Sequence, residues 1–118
     1  MRIWEGQGSD ASVKWCERAR LLDSKGSVRD VAFAPHWQGL KLATCSTDGL
    51  VRIYEAIDVG NLAYWALMEE FEIFQATKEM EGQCCLSWCQ SKHQTPKIIV
   101  SCGKENCAKV SAALNSDI

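Results

Sequence analysis

The stretch that decides the fold runs from residue 27 to residue 55 and reads SVRDVAFAPHWQGLKLATCSTDGLVRIYE. It contains three short runs rich in apolar and β-branched residues, at 28–34, 40–46 and 50–55. Pro35 closes the first run because proline has no N–H group to donate to a strand ladder. Thr47, Asp48 and Gly49 form the turn after the second run, since glycine tolerates the positive φ that tight turns need. The sequence therefore predicts three consecutive β-strands.

The chain repeats this unit. Three segments recur later in the sequence: 2–5 as 52–55, 30–33 as 85–88, and 42–45 as 99–102, at offsets of 50, 55 and 57 residues. Because the echoes keep their order while the period drifts, they describe one unit repeated with loop insertions. Repeats of about 40–50 residues that contain several short strands are typical of β-propellers.

These repeats divide the chain into blade units. The units are the last strand of one blade at 1–6, a blade at 13–56, an incomplete blade at 64–113 and an unmatched tail at 114–118. Further strands are expected at 13–22, 84–89, 97–102 and 109–113. We therefore predict an all-β fold, a propeller fragment of about two four-stranded antiparallel blades.

The segment 61–81 is ambiguous. It is rich in helix formers, with Asn61 as a candidate N-cap and Gly82 as a candidate stop, so local propensity favours a helix. The repeat instead requires an outer strand at about 64–74, preceded by a short helical turn. Because tertiary context often overrides propensity, we predict the strand.

The two tracts 27–35 and 42–55 together resemble a WD repeat. Tyr54 and Glu55 take the place of the tryptophan-aspartate pair that ends such repeats. The resemblance implies that the predicted strands belong to a WD-repeat β-propeller.

A more specific resemblance lies downstream. The segment AIDVGNL at 56–62, with WAL at 65–67 and CLSW at 85–88, is similar to the SEH-type nucleoporins, the Sec-thirteen homologues of the nuclear pore. The resemblance covers residues 13–110 and is densest at 27–67.

The hydrogen-bonded tetrad that braces many WD blades is at most partial in this chain. Its histidine, normally part of a Gly-His turn, is absent from the corresponding segment 23–26. Thr44, Asp48 and Tyr54 match the other three members, and Glu55 ends the strand. The resemblance therefore implies structural roles for these four residues.

The resemblance also implies a function. The expected protein is a non-enzymatic scaffold subunit of the Y-shaped complex of the nuclear pore, located in the nucleus at the nuclear envelope and supporting mRNA export and protein transport. It implies an open six-bladed propeller to which another nucleoporin donates a blade in trans. It further implies membership of the SEA/GATOR nutrient-signalling complex at the vacuolar or lysosomal surface. The alternative is another WD-repeat adaptor, such as a Sec-thirteen-like vesicle-coat subunit.

A zinc site is the sharpest chemical alternative, since Cys85, Cys89 and His93 recur at spacings of four, with Cys102 and Cys107 downstream. Zinc motifs usually pair their cysteines more tightly around a knuckle, whereas Cys85 and Cys89 fall at the ends of an alternating strand. Free cysteine commonly packs as a small buried hydrophobe. We therefore expect no metal, and cysteines that are buried and, without a secretory signal, reduced.

Catalysis is not expected either. A nucleophile needs a base that a third group orients, and the only histidines, His36 and His93, lie in predicted loops. The acidic run at 68–72 has no partner motif. No glycine-rich phosphate loop occurs. We therefore predict no catalytic residue and no cofactor.

The five tryptophans are better explained by packing and contact than by base stacking. Trp4 and Trp88 fall in strands and are expected to pack between blades. Trp15 and Trp65 fall in outer strands, where an exposed ring is a candidate partner contact.

The charge of the chain argues against binding to nucleic acid. The net charge is −2 and the isoelectric point about 5.7, which leaves no basic footprint for a polyanion. No apolar run reaches the length of a signal peptide core or a membrane span. We expect no direct nucleic-acid contact and no membrane insertion.

Overall fold

The computed structural model describes residues 1–8, 11–72, 84–90, 98–102 and 107–111. Within these residues the chain forms nine β-strands and one 3-10 turn, His36–Gln38. The strands are β1 (Arg2–Gln7), β2 (Lys14–Arg20), β3 (Val28–Phe33), β4 (Lys41–Ser46), β5 (Leu50–Ala56), β6 (Trp65–Glu72), β7 (Cys84–Trp88), β8 (Ile98–Cys102) and β9 (Cys107–Ser111). The described part of the chain contains no helix long and apolar enough to cross a membrane. The predicted all-β fold is confirmed.

The strands form three antiparallel sheets in chain order. The first sheet pairs β1 with β2, the middle sheet has the order β3-β4-β5-β6, and the third sheet has the order β7-β8-β9. Within each sheet, consecutive strands are neighbours, as in the meander of a propeller blade. The middle sheet is therefore a complete four-stranded blade.

The sheets are offset by one strand from the blade units predicted from the sequence at 13–56 and 64–113. The first strand of each unit pairs backwards: β2 joins β1, and β6 joins β5. Each sheet therefore begins one strand later than the sequence unit. A repeat pattern shows that a strand recurs, but it does not show which of its two neighbours it hydrogen-bonds to.

The turn between β4 and β5 has the predicted geometry. Gly49 adopts a positive φ of 86°, and its N–H donates to the carbonyl oxygen of Ser46 at 3.2 Å. A side chain at this φ would be strained. The turn sets a register in which Thr44 lies opposite Arg52.

The ambiguous segment after residue 61 forms a strand. β6 pairs with β5 along its whole length, from Ala56 opposite Trp65 to Leu50 opposite Glu72. The strand prediction is confirmed for the described residues, and residues 73–83 lie outside them. Two hydrogen-bonded turns, not a helix, precede β6. The last strand, β9, begins at Cys107, two residues earlier than predicted, because its register is set by β8.

The core lies where the middle sheet packs against the third sheet. Its buried members are Ala43, Cys45, Val51, Ile53, Trp88, Ile98 and Val100. The inner strands β3 and β7 bring the two sheets together. Small residues on the middle sheet, Ala32 and Ala43, let the larger side chains of the third sheet approach closely.

The cysteines differ in part from the expectation of buried, reduced thiols. Cys45 is fully buried and takes part in a disulfide. Spacing along the sequence does not reveal which sulfur atoms folding brings together. Cys85 is an exposed free thiol, and Cys89 is free and half-buried. Strand β7 turns its alternate side chains, among them the buried Trp88, towards the middle sheet and therefore turns Cys85 away.

Two hydrogen bonds lock the middle and third sheets together. Asp30 Oδ2 accepts from the backbone N–H of Leu86 at 2.8 Å. The indole Nε1 of Trp88 donates to the carbonyl oxygen of Ala32 at 3.0 Å. The prediction that Trp88 packs between blades is confirmed. Trp4, in contrast, is 48% exposed and borders a cavity of about 210 Å³ between the first and middle sheets.

We predict that Trp88→Phe lowers the free energy of unfolding by about 1–2 kcal/mol, because it removes both buried volume and the bond to Ala32. Urea unfolding of the chain followed by far-ultraviolet circular dichroism measures the change. The control is Trp15→Phe at a ring that is 64% exposed, where we expect a change within about 0.5 kcal/mol. Equal effects of the two substitutions would contradict the proposed lock.

Candidate functional site

Arg52 is the centre of a buried polar network in the middle sheet. The residue is 1% exposed although it carries a full charge. Its Nη2 lies 3.0 Å from Asp48 Oδ2, and its Nε lies 2.8 Å from Glu70 Oε2. Its Nη1 donates to the hydroxyl of Ser24 at 3.2 Å. The guanidinium therefore binds the β4–β5 turn, β6 and the segment before β3 at once.

Asp48 is the most heavily hydrogen-bonded carboxylate of the network. It accepts from the hydroxyl of Ser46 and from the backbone N–H groups of Lys25 and Leu50, each at 3.1 Å, besides Arg52. Burial alone would raise its pKa. The donors outweigh burial and lower the pKa of Asp48 to about 2. The side chain is therefore a fixed anion at neutral pH.

The same network holds the charge of Arg52 in place. Burial acts to lower the pKa of Arg52, but the carboxylates of Asp48 and Glu70 outweigh it, so the pKa lies above its ordinary value. The guanidinium of Arg52 stays protonated. Its charge is compensated by direct contact with the carboxylates of Asp48 and Glu70 instead of by water.

Tyr54 ties the strand to the segment before β3. It is 3% exposed, and its hydroxyl donates to Asp23 Oδ2 at 2.9 Å. Burial, together with the carboxylate of Asp23, raises the pKa of Tyr54 well above its ordinary value. Two further bonds join this segment to the turn: Ser27 N–H donates to Thr47 Oγ1, and Thr47 N–H to the Ser27 carbonyl oxygen, both at 2.9 Å.

The structure places the four predicted structural positions unequally. Asp48 and Tyr54 both anchor the segment before β3, through different partners. Thr44 is 2% exposed and lies opposite Arg52 in the β4–β5 ladder. Glu55 is half-buried near the other end of β5, opposite Lys41, and lies apart from the network.

Sequence reasoning missed Arg52, the residue that joins the network. The alternation of β5 placed it on one face with Tyr54, but it did not reveal that both faces are covered. A signal was present, since a charged residue in the interior of a four-stranded sheet needs partners.

The network has no catalytic arrangement among the described residues. Its carboxylates and hydroxyls are engaged in structural bonds, and His36 lies on an exposed turn with its ring 5.2 Å from that of Trp37. His93 lies outside the described residues. Among those described, no three His, Cys, Asp or Glu side chains are placed to hold a metal ion.

The two tryptophans predicted as partner contacts differ in exposure. Trp15, on β2, is 64% exposed and lies opposite Gly6 of β1, where an added Cβ would meet the indole ring at 3.3 Å. Trp65 is half-buried, and its Nε1 donates to the carbonyl oxygen of Leu62 at 2.8 Å. Of the two rings, that of Trp15 offers more free surface.

We predict that Arg52→Met lowers the free energy of unfolding by about 2–4 kcal/mol, because it leaves Asp48 without its counter-charge in a largely buried site. The matched control is Arg20→Met, which removes a 58% exposed arginine paired with Glu17 at 3.0 Å. There we expect a change within about 0.5 kcal/mol, since exposed ion pairs contribute little. Denaturant unfolding measures both, and a similar small loss for both would refute the central role of Arg52.

The lowered pKa of Asp48 predicts an acid-sensitive contribution to stability. Because the folded-state pKa is about 2 and the ordinary value 3.8, the carboxylate stabilises the fold fully above about pH 4. This contribution is lost as the pH falls towards 2. The stability difference between the wild type and Asp48→Asn should shrink over that range, as measured by unfolding at pH 2–6. A difference that stays constant across this range would contradict the prediction.

The chain is similar in sequence to nucleoporins named SEH1. No family model matches the chain. The chain is 39% identical over 105 residues to nucleoporin seh1 of Schizosaccharomyces pombe, covering 86% of this chain and 31% of that protein. It is 39% identical over 110 residues to nucleoporin SEH1 of Homo sapiens, covering 88% of this chain and 29% of that protein.

A third relative gives the same result: nucleoporin SEH1 of Osmerus mordax is 40% identical over 114 residues, which cover 90% of this chain and 30% of that protein. The chain thus spans about a third of the length of the curated relatives that it matches. The matches agree with the WD-type sheets and with the resemblance carried by residues 56–62. Over that part of their length, the chain is similar to the SEH-type nucleoporins.

Proposed function

We propose that this chain is part of a scaffold subunit of the nuclear pore, within the Y-shaped complex, and that its partners are other nucleoporins. The observation that carries the proposal is the similarity of about nine-tenths of the chain to proteins named nucleoporin SEH1. The stacked sheets support it, since stacks of repeated units present extended surfaces for binding.

The flanks of the sheet stack support a role in assembly. On the face of the middle sheet that the first sheet leaves partly uncovered, Val31 is 46% and Phe33 56% exposed, and they border the cavity beside Trp4. On the other side of the stack, Ile99 of the third sheet is 41% exposed. Apolar sheet faces are stable when another sheet covers them.

Such a flank accepts a sheet from the same protein or from another one. The middle and third sheets pack through apolar side chains and two hydrogen bonds, one of which uses only the backbone N–H of Leu86, a group that a strand of another chain also presents. We propose that a partner nucleoporin completes the propeller in this way, by donating a blade in trans. Pore scaffolding would support mRNA export and protein transport.

The proposal includes a non-enzymatic role and a second assembly. The polar groups of the Arg52 network are engaged in bracing the blade, which leaves them unsuited to turnover. The resemblance to SEH-type nucleoporins supports membership of SEA/GATOR at the vacuolar or lysosomal surface as well.

We predict that the endogenous protein that contains this chain, tagged and affinity-purified, co-purifies with nucleoporins and labels the nuclear rim in fluorescence images. Mass spectrometry of the same sample separates the two assemblies, because SEA/GATOR subunits appear as a second set. The control is an equally tagged Sec-thirteen-like coat subunit. Recovery of vesicle-coat subunits without nucleoporins would refute the pore assignment.

A further inference from the structure

One end of the middle sheet carries an exposed apolar surface that the blade itself does not use. It is formed by the β3–β4 connection at 34–40 and the β5–β6 connection at 57–64. We name it the rim patch, and its members are Trp37, Ile57, Val59 and Tyr64, which are 38%, 69%, 69% and 58% exposed. A cavity of about 340 Å³ beside it is lined by Ala34, His36, Gly39, Leu40 and Val59.

Backbone hydrogen bonds hold the rim patch in place. Ile57 N–H donates to the carbonyl oxygen of Tyr64 at 3.0 Å, which closes the β5–β6 connection at its base. Within the connection, Asp58 accepts from the N–H groups of Gly60 and Asn61, each at 2.9 Å. The apolar side chains are therefore presented on a fixed frame, so a partner that binds them loses little loop entropy.

The β3–β4 connection is attached to the same frame. Ala56 N–H donates to the carbonyl oxygen of Leu40 at 3.0 Å, next to the start of the β5–β6 connection. The two connections therefore form one surface, with the cavity between them.

The border of the cavity is acidic. Glu55 Oε2 lies 3.5 Å from the point where a Cβ on Gly39 would be, and Asp58 lies on the adjoining connection. Neither carboxylate forms an ion pair with any described residue, although Lys41 lies opposite Glu55 in the β4–β5 register. An apolar cavity bordered by two carboxylates that form no ion pair with a described residue complements a ligand that is apolar and basic.

We propose that the rim patch is a docking surface for a partner polypeptide that presents a large apolar side chain beside lysine or arginine. A second copy of this chain fits poorly, because a two-fold contact through the rim patch would join two surfaces that both carry Glu55 and Asp58. The rim patch is separate from the sheet flanks, so the inference goes beyond the proposed scaffold role and does not depend on it.

The test is a titration of the full ¹⁵N-labelled chain with two synthetic peptides, followed by nuclear magnetic resonance. One peptide carries leucine and tryptophan flanked by lysines, and the other replaces each lysine with glutamate. We expect the basic peptide to shift the amide signals of Leu40 and Val59 and to bind at least about tenfold more tightly than the acidic one. Equal binding of the two peptides, or no binding of either, would overturn the proposal.

Variants locate the contact. We expect Val59→Asp and Ile57→Ser each to weaken binding of the basic peptide at least about tenfold. Asp58→Asn, which keeps the acceptor for the Gly60 N–H, should weaken it less. Leu22→Ser is the control, because this side chain is 81% exposed on the segment before β3, and it should leave the affinity unchanged.

Two further outcomes would also overturn the proposal. One is unchanged peptide binding in Val59→Asp, which would place the peptide elsewhere. The other is a concentration-dependent dimer that Val59→Asp abolishes, which would assign the rim patch to a second copy. Failure of the nucleoporin co-purification leaves both peptide results unaffected, so the two proposals fail independently.

Discussion

The buried guanidinium of Arg52 is the constraint on which the middle sheet depends. A charge that is 1% exposed is tolerated only where its donors are matched, because little water is available to replace a missing partner. Its partners Ser24, Asp48 and Glu70 come from three different elements. The network is therefore satisfied only when the turn, the outer strand and the incoming segment are all in place. The charge thus specifies this arrangement of the blade, beyond any net stabilisation that it contributes.

Directional hydrogen bonds also set how the middle sheet is positioned against the third sheet. Apolar burial draws β3 and β7 together, but it is non-directional and does not fix their relative position. Asp30 does, because one carboxylate oxygen accepts from Val31 N–H and the other from Leu86 N–H. Trp88 adds a second directional bond to the middle sheet. Stability then accumulates between neighbouring sheets, so a stack can be extended by any sheet that supplies similar contacts.

Local chemistry explains which features of this fold could be predicted. The turn at Gly49 and the short alternating strands follow from steric rules that act over a few residues. The repeat predicted the strand β6, whereas local propensity alone favoured a helix there. The repeat alone did not give the pairing of β2 with β1 and of β6 with β5, because a repeat does not show which neighbour a strand hydrogen-bonds to. The burial of Arg52 and the disulfide of Cys45 depend on contacts between residues distant in the sequence, which a local pattern does not reveal.

The middle sheet buries polar groups in its interior and exposes apolar side chains at one end. Inside the middle sheet, polar groups such as Asp48 and Tyr54 are engaged in bracing bonds. At one end of that sheet, hydrogen bonds of the β5–β6 connection hold Ile57 and Val59 in solvent. Apolar side chains that stay exposed to water do not stabilise the blade, because the hydrophobic effect favours them only when they are buried. The flanks have a use in completing the stack. The rim patch packs against no other sheet within the described chain, so we infer that it acts by contact with another molecule.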